Sequence, residues 1–558
     1  MNKKNFRNLT SEEVIQLEKQ GCKAQDWQKI KISPELNLRY IENVKFQGFL
    51  LIGKDVVLKD IPGGIGNCVI NEGAHINNVF CILFEEGSRH GVGTQISVLD
   101  ETGSRPVTIY PGISSQIATL MARQPGWIKN KLETNFDDFI ESKITSPEIG
   151  EKAVIINSGP ILNVHIGREV IVEGATRLLN GSIINNAGEG KGLAYVGTGV
   201  DAENFIIEDG SVKTKAILEN CYVGQGVEIA KGFTAHDSLF FANSTLENGE
   251  SNSVLAGPYS VSVHKSTLLI GIQTSFMNAG SGSNQSNHMY KLGPVHWGVL
   301  ERGVKTSSGS YLMLGAKIGA FSLLMGSHKT HPDSSMFPFS YLFGDERGAT
   351  VVVPAAMLRS CGLMRDEIKW PKRDRRLKRK LPLHDLINFN VLNPASVDSM
   401  LKAIDTIEEL LTKPSDDDLF MRFKGMKFRR AALERATWIY RIAIFKYLSQ
   451  KLSDNKFPQG KNGQPEEWLD LGGLIITRSC LNKILEAENI TDAEALLKEA
   501  HDNFDQLELQ WIADRFDENW KSQEEQINIY AKKFDDMVEE DKEEYLKMLD
   551  EETKMLAL

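Results

Sequence analysis

The chain has 558 residues, 41% hydrophobic and 25% charged, and 74 acidic against 64 basic residues give a formal net charge of −10. These are ordinary globular values, so disordered and fibrous classes are excluded, and the negative charge argues against a dedicated nucleic-acid binder. No run approaches the roughly 18 consecutive apolar residues of a membrane span, and the N-terminal residues lack the apolar core of a secretory signal. The sequence predicts a cytoplasmic protein without nucleic-acid or membrane partners.

A short helix is predicted near the N-terminus. Thr10 followed by Glu13 fits a capping box, in which each side chain accepts a hydrogen bond from the other residue's backbone N–H. Leu17 then lies on the buried side of the helix, which Gly21 ends. We expect residues 1–40 to form a small helical and extended element beside the next domain.

Over the following three hundred or so residues, apolar side chains recur six residues apart in several short series. Two series show this spacing, Ile166, Val172, Leu178 and Ile184, and then Val223, Ile229, Ala235 and Phe241. A period of six is neither helical nor a simple alternation. It suits a chain that turns a corner after each short strand and points one aliphatic side chain per face into a prism-shaped core. Small residues next to the aliphatic ones fit the tight corners.

This pattern resembles the hexapeptide repeat of left-handed parallel β-helix proteins, the fold of the trimeric acyltransferases typified by UDP-N-acetylglucosamine acyltransferase. The resemblance implies a mainly β protein with a left-handed parallel β-helix over residues 41–365 and a homotrimer. An antiparallel sandwich or barrel with turns at the same spacing is the alternative. Residues 7–27 and 48–53 also resemble a bacterial family in which a β-helix precedes a helical C-terminal domain. That second resemblance supplies no catalytic residues.

One interruption of the repeat has helical spacing. Residues 113–143 predict a helical excursion from a corner of the coil, either walling an active-site cleft or making a trimer contact. Shortly before it, Arg105 precedes Pro106 in a predicted tight turn. There the guanidinium could contact a phosphate of the substrate.

The densest run of chemically capable side chains covers residues 281–303. A plain β-helix face needs aliphatic residues, so a surplus of amide, imidazole and cationic groups indicates a pocket for a small-molecule substrate. A polar loop that caps the coil is the alternative. The candidate substrate-binding residues are Asn284, Gln285, Asn287, Lys291, Trp297 and Arg302.

A histidine of ordinary pKa can take a proton from a hydroxyl or amine. The trimeric acyltransferases that this sequence resembles use such a histidine in a cleft between subunits, where the acceptor attacks an acyl thioester. The resemblance makes His288 the first choice of general base and His296 the second, with acyl-CoA as co-substrate. The amides would orient sugar hydroxyls, Lys291 and Arg302 would hold phosphate charge, and Trp297 would stack on a base or sugar.

A metal site is a further hypothesis for this region. The γ-type carbonic anhydrases, which are also left-handed β-helix trimers, bind zinc through histidines of neighbouring subunits. Here His328 and His331 could be ligands, joined by His288 or His296 across an interface. Residues three apart point to opposite sides of a strand, so joint coordination would require a turn at Lys329–Thr330.

The composition changes after residue 365. Residues 366–395 include the basic run RDRRLKRK between Pro371 and Pro382. This stretch predicts an exposed connector or a packed arm between two domains. A basic run is usually a solvated face, and contact with an anion is the alternative.

From residue 396 to 558, helical spacing predicts a bundle of antiparallel helices. The predicted helices include residues 396–413 and 419–450, and Trp438 is expected to face the core. The tail from Trp511 onward is acidic and also helical.

Two function classes stay open. The first is a cytoplasmic enzyme that transfers an acyl or related group to a sugar, a nucleotide sugar or another small metabolite. The second is a non-catalytic scaffold or ligand-binding protein on a degenerate β-helix. The polar cluster favours the enzyme, whereas the irregular hexads and the large helical domain favour the scaffold.

Overall fold

A computed structural model of the chain describes residues 6–128, 132–188, 194–286, 295–414, 419–452, 458, 460, 465–516 and 523–556. The chain forms two compact units, one of Met1–Ile270 with Asp374–Asp385 and one of Gly271–Arg373 with Leu386–Leu558. Parallel β-solenoid coils occur in both, about 17 turns in all, and a helical region follows them in the chain. The mainly β solenoid with a helical C-terminal region is thereby confirmed.

Consecutive coils of the first unit pair in register. Asp201 lies opposite Ile217, which lies opposite Thr234 in the next coil, and all these pairings are parallel. Each coil therefore takes up roughly three hexads, and every inner coil has its backbone edges paired on both sides.

The strands of the first unit are mostly short. They are Arg7–Asn8, Lys23–Ala24, Ile30–Ile32, Ile41–Ile52, Val57–Ile70, His75–Leu83, Gln95–Ser97, Pro106–Thr108, Glu148–Ile149, Val154–Ile166, Ile171–Glu173, Arg177–Ile184, Tyr195–Val196, Asp201–Glu208, Ser211–Val212, Ile217–Val223, Glu228–Ala230, Thr234–Phe240, Thr245–Glu247, Glu250–Asn252, Leu255–Ala256, Val261–Ser262 and Leu268–Ile270.

The interior of these coils is aliphatic. Val223 and Ile229 of the six-residue series are fully buried. Ile183, and not Ile184, takes the inward position of its coil, because Ile183 pairs in register with the inward-facing Ile166. The spacing thus locates the core-facing positions to within one residue, and backbone pairing sets the phase.

One corner of the first unit carries a ladder of asparagine residues that the six-residue series does not reveal. Asn180, Asn204, Asn220 and Asp237 all have left-handed backbone conformations. The amide of Asn180 donates to Asn204 over 2.7 Å, Asn204 donates to Asn220 over 3.0 Å, and Asn220 donates to Asp237 over 3.0 Å. Asparagine tolerates this conformation better than most residues, so it replaces glycine at these corners and also joins the coils.

The helices of the first unit follow the predictions closely. The capping box of Thr10 and Glu13 is present and begins the helix Ser11–Lys19. The predicted excursion over residues 113–143 forms two helices, Ser115–Arg123 and Glu133–Lys143. Single 3₁₀ turns lie at Trp27–Lys29 and Leu38–Tyr40.

The basic run is a packed arm. We use the name "arm" for residues 374–385, which belong to the first unit and contain the short helix Arg375–Arg379. Arg376 of the arm is only 2% exposed. The arm is therefore part of the folded unit and not a solvated connector.

The second unit begins with further coils. Asn284–Ser286 pairs in parallel with Tyr311–Met313, which pairs with Ser327–His328. Tyr341–Gly344 pairs in parallel with Leu323–Met325 and antiparallel with Thr350–Val353, which in turn pairs in parallel with Met426–Arg429. The remaining strands are Ile272–Thr274, Asn278–Ala279, Gly298–Leu300, Lys305–Thr306, Lys317–Ile318, Leu323–Met325, Phe420–Phe423, Met426–Arg429, Trp468–Leu471 and Leu474–Thr477.

The helices of the second unit are Cys361–Lys372, Pro394–Thr412, Arg430–Leu452, Arg478–Leu485, Ile490–Asp502, Phe504–Arg515 and Glu524–Leu556, with a 3₁₀ turn at Ala356–Arg359. In the part of the chain described above, no helix combines the length and the apolar character that crossing a membrane would take.

Two predictions for the helical region are wrong. The helix predicted over residues 419–450 begins only at Arg430, because a β-hairpin precedes it. Its turn residues Lys424 and Gly425 both have positive φ, as a tight two-residue hairpin requires. Trp438 is 45% exposed, because it lies five residues from Leu433 and two from Tyr440 and so points nearly opposite to their buried stripe on the helix.

Candidate functional site

The described members of the predicted polar cluster differ in burial. Asn287, His288 and Lys291 lie outside the described residues. Asn284 is half-buried, whereas its neighbour Gln285 is buried, since successive side chains of a strand point to opposite faces. Gln285 lies in register with buried residues of the next two coils, so it fills the interior of the solenoid.

The two histidines proposed as metal ligands have separate environments. His328 is fully buried, with Nδ1 2.9 Å from the Thr350 hydroxyl and Nε2 3.1 Å from the Met325 carbonyl oxygen. Burial lowers the pKa of His328 to about 4. The structure places His331 beside His296, with their ring centroids 6.1 Å apart.

No group of three or more His, Cys, Asp or Glu residues within the described ranges could hold a metal ion. The zinc hypothesis needs histidines of two neighbouring subunits, with His288 or His296 from the second, so it stays a prediction. His296 differs from His328 and His331 because its Nδ1 is buried and has no hydrogen-bond partner among the described residues.

Arg302 is part of the protein interior. It is 3% exposed, and its Nη1 donates to the Asp470 carboxylate over 3.1 Å and to the Gly473 carbonyl oxygen over 3.2 Å. Its guanidinium also lies 4.2 Å from the ring centre of Phe276. Arg302 thus holds the hairpin of Asp470 against the coils of the second unit. Trp297 is half-buried in that unit.

Arg105 lies in the first unit, on the turn before the strand Pro106–Thr108. Its Nη1 donates to the Ala122 carbonyl oxygen over 3.0 Å, and its Nε is 3.6 Å from the Asp100 carboxylate. Arg105 therefore ties its turn to the helix Ser115–Arg123.

A polar cluster that the sequence analysis did not single out lies where the arm packs on the coils of the first unit. Asp374, at the start of the arm, binds the buried Arg376 guanidinium through both carboxylate oxygens, at 3.1 and 2.8 Å. Asp385, at its end, accepts from the backbone N–H groups of Ser115 and Ala242 over 2.6 and 2.8 Å. Asp374 also accepts from the Asn243 amide of the coils over 3.0 Å, so carboxylates fix both ends of the arm.

His384 and Glu208 form the centre of this cluster. His384 Nε2 lies 3.1 Å from Glu208 Oε1, and Glu208 is only 2% exposed. Glu208 also accepts from the Tyr222 hydroxyl over 3.0 Å, the Gly112 N–H over 2.8 Å and the Asn186 amide over 2.8 Å. A carboxylate with four donors is the form that this site stabilises.

The pKa values of the pair move in opposite directions. Burial by itself would raise the pKa of Glu208, but the hydrogen bond and charge of His384, with the other donors, lower it. Burial by itself would lower the pKa of His384, but Glu208 and the neighbouring carboxylates raise it. The geometry thus favours an imidazolium–carboxylate ion pair.

Asp209 extends the cluster toward the chain after the arm helix. Its carboxylate accepts from the backbone and side-chain amides of Asn186 and from the Gln225 amide, over 2.7, 3.0 and 3.2 Å. Burial raises the pKa of Asp209. Gln225 also donates to the Pro382 carbonyl oxygen over 2.8 Å and accepts from the His384 N–H over 3.1 Å, so it joins the coil directly to the arm.

A cavity of about 400 Å³ lies between the arm and the coils of the first unit. We call it the arm pocket. Its uncharged lining comes from Tyr195, Ser211, Gly226 and Val227, and its charged lining from Lys213, Glu228, Arg375 and Arg379.

The charged side chains of the arm pocket are mostly cationic. Glu228 is hydrogen-bonded to Lys213 and lies 3.6 Å from Arg375. The Arg379 guanidinium donates to the Asp209 carbonyl oxygen over 3.3 Å, and no carboxylate in the described ranges pairs with it. Three cations therefore share one carboxylate in a cavity of small-molecule size.

The arm cluster had a weak signal in the sequence. The adjacent carboxylates Glu208 and Asp209 interrupt an otherwise apolar coil, and His384–Asp385 closes the basic run. Buried carboxylates need partners, so the two features together could have suggested that the run packs on that coil.

Comparison with known families places the chain. Residues 6–65 and 49–411 match the family described as Domain of unknown function (DUF4954), and residues 450–554 match Domain of unknown function (DUF6819). Neither description names an acyltransferase, and a search of curated proteins found no match. The first match spans the arm and every residue of the arm pocket. The chain belongs to the family described as Domain of unknown function (DUF4954).

Proposed function

We propose that this protein binds an anionic small molecule in the arm pocket. The observation that carries the proposal is the lining of three cations around one carboxylate in a cavity of about 400 Å³. Guanidinium and ammonium groups are the side chains that proteins use for phosphate and carboxylate ligands. This is the ligand-binding alternative of the sequence analysis, located at an unexpected place.

The way the arm is held supports the proposal. Arg375 and Arg379 lie between the two fixed ends of the arm, at Asp374 and Asp385. A binding group that is already held in position loses less conformational entropy when a ligand arrives, so more of the interaction energy appears as affinity.

The test is isothermal titration calorimetry with inorganic phosphate, pyrophosphate, a sugar phosphate and a sugar acid. We expect Arg379→Gln to weaken binding about 10- to 100-fold, as expected for losing a charge-assisted hydrogen bond. Lys54→Gln is the matched control, because Lys54 pairs with the exposed Glu35 outside the pocket lining. The proposal would be refuted if no anion bound, or if Arg379→Gln left the affinity unchanged.

Group transfer with His296 as general base is a second candidate. The observation in its favour is the buried Nδ1 of His296, which has no hydrogen-bond partner among the described residues and lies beside the His331 ring. The solenoid fold fits the resemblance to the acyltransferases, which implies acyl-CoA as co-substrate and a sugar or nucleotide sugar as acceptor.

An acyl-CoA assay that follows thiol release tests this candidate. Activity in the wild type that falls at least a hundredfold in His296→Gln would support it, as expected for loss of a general base. His331→Gln separates the base from its neighbour, and His288→Gln tests the first choice of the sequence analysis. No thiol release in the presence of any sugar acceptor would eliminate it.

We further propose that the protein acts as a cytoplasmic homotrimer. The trimer rests on the acyltransferase resemblance, and the six cysteines, all free, suit a reducing compartment. Light scattering should find about three chains per particle. A stable monomer would remove any mechanism that needs a cleft shared between subunits.

A further inference from the structure

The charges that line the arm pocket do not cancel. Lys213, Arg375 and Arg379 contribute three positive charges, and Glu228 contributes one negative charge. The hydrogen bond from Lys213 and the nearby Arg375 keep the pKa of Glu228 below its ordinary value, so this carboxylate stays ionised through neutral and mildly acidic pH. A ligand in the cavity therefore meets a net charge of plus two.

The groups behind the arm do not change this balance at contact distance. The buried Arg376 is matched by Asp374, and His384 is matched by Glu208. Asp385 is occupied by two backbone N–H groups, and the Asp209 carboxylate by the amides of Asn186 and Gln225. The unmatched positive charge is therefore on the side chains that face the cavity.

We infer that the ligand of the arm pocket carries a phosphoryl group in its dianionic form, as a phosphate monoester or a terminal diphosphate does. A monoanion would leave one desolvated cation of the lining without a counter-charge, which is costly in a partly enclosed site. A phosphoryl group also offers three acceptor oxygens, enough for Arg379, Arg375 and Lys213 together. This inference rests on the proposed function and narrows its ligand class.

Arg379 is the side chain on which the dianion depends most. It has no carboxylate partner in the described part of the chain, whereas Lys213 and Arg375 share Glu228. Burial lowers the pKa of Arg379 although the Asp209 and Glu228 carboxylates act in the opposite direction, so these carboxylates compensate its charge only in part. Arg375 is held by the Gly226 carbonyl oxygen and the Thr245 hydroxyl at 2.6 and 3.2 Å, so it can contribute charge without moving.

The remaining lining suits the organic part of such a ligand. The Tyr195 hydroxyl is 3.2 Å from the Glu173 carboxylate, which anchors the ring at the edge of the cavity. Val227 and Gly226 add apolar and backbone surface. A sugar or planar ring can pack on Tyr195 while its phosphoryl group reaches the cations.

Calorimetry with three probes that share a hexose ring tests the inference. The probes are glucose 6-phosphate, glucuronate and glucose, which carry a dianion, a monoanion and no charge at pH 7.5. We expect glucose 6-phosphate to bind at least tenfold more tightly than glucuronate, and glucose not to bind.

The pH dependence isolates the charge of the ligand. The second pKa of a phosphate monoester is about 6. Lowering the pH from 7.5 to 5 should therefore weaken the binding of glucose 6-phosphate about tenfold relative to the binding of glucuronate, which keeps its single charge. Because both probes meet the same protein, titration of Asp209, Glu208 or His384 affects both and cancels in the ratio.

Charge variants give the third readout. Arg379→Gln reduces the net charge of the lining to plus one and should remove most of the preference for the phosphate. Glu228→Gln raises it to plus three and should strengthen glucose 6-phosphate binding. Lys54→Gln should leave the affinity for both ligands unchanged. Equal affinities for glucuronate and glucose 6-phosphate, both lost in Arg379→Gln, would overturn the dianion inference but keep the anion pocket. Absence of binding by phosphate, pyrophosphate, glucose 6-phosphate and glucuronate alike would overturn both.

Discussion

Replacing Glu208 by glutamine should release the arm. The side chain is buried and accepts from His384, Tyr222, Gly112 and Asn186. Glutamine keeps one acceptor oxygen but turns the other position into an NH₂ group. At least one of the four donors would then face another donor, and the ion pair with His384 would be lost.

The magnitude follows from these contacts. A charge-assisted hydrogen bond contributes about 1.5–3 kcal/mol, and a buried donor left without a partner costs about 1–3 kcal/mol. His384 can lose its proton at neutral pH, which limits the penalty of leaving it unpaired. We expect Glu208→Gln to lower the free energy of opening the arm by about 3 kcal/mol, which corresponds to roughly a hundredfold larger open population.

The effect should depend on pH in a defined direction. The pKa of Glu208 is lowered, so its contribution is present above the ordinary value of 4.5 and is lost as the pH falls through the folded-state pKa. The pKa of His384 is raised, so its contribution is complete below the ordinary value of 6.5 and is lost as the pH rises through the folded-state pKa. The clamp is therefore strongest between those two values, and the difference between variant and wild type should shrink toward pH 9.

Limited trypsin digestion measures the opening directly, because the run from Arg375 to Lys380 contains several trypsin sites. Cleavage in the arm, followed by mass spectrometry and normalised to a free peptide of the same sequence, reports the open population when closing is fast. The control is Glu219→Gln, which removes an exposed carboxylate 3.7 Å from His236 and should not matter. Cleavage of Glu208→Gln at the wild-type rate at pH 6 would refute the clamp.

Three further predictions concern other elements. Asp385→Asn should raise arm cleavage about tenfold in the same digestion. One carboxylate oxygen accepts from the Ser115 N–H and the other from the Ala242 N–H, and asparagine replaces one of these oxygens by a donor. Asn204→Ala should lower the free energy of unfolding by about 1 kcal/mol more than Asn204→Gly does, as measured by circular dichroism melts. Both variants lose the hydrogen bonds of the ladder, but only alanine is strained at positive φ. Because the pKa of His328 is lowered, the stability of the second unit should fall as the pH drops from 6.5 toward 4. Hydrogen exchange measures this stability, which should depend less on pH in His328→Gln than in the wild type.

The repeat could be read from the sequence because it is local. One aliphatic residue per short strand appears as a six-residue period wherever the coil is regular, and the capping box of Thr10 and Glu13 lies within one turn of helix. Which residue of each hexad faces inward does not depend on local sequence alone. Ile183 faces inward through its pairing with strands of other coils, and spacing alone pointed to Ile184. The hairpin at Lys424–Gly425 was missed because the helical spacing beyond it outweighed two turn residues.

The site depended on tertiary structure for a related reason. Composition marked residues 281–303 as polar, but only the fold turns Gln285 into the interior and pairs Arg302 with Asp470. The arm cluster joins His384 to Glu208, which are 176 residues apart in the chain.

By itself, the amino-acid order determined that the chain coils, where it departs into helices, and that it carries a strongly basic run. Which carboxylates that run meets was decided by the stacking of the coils. Electrostatic attraction and desolvation act across space over a few ångströms, and a sequence records neighbours only along the chain.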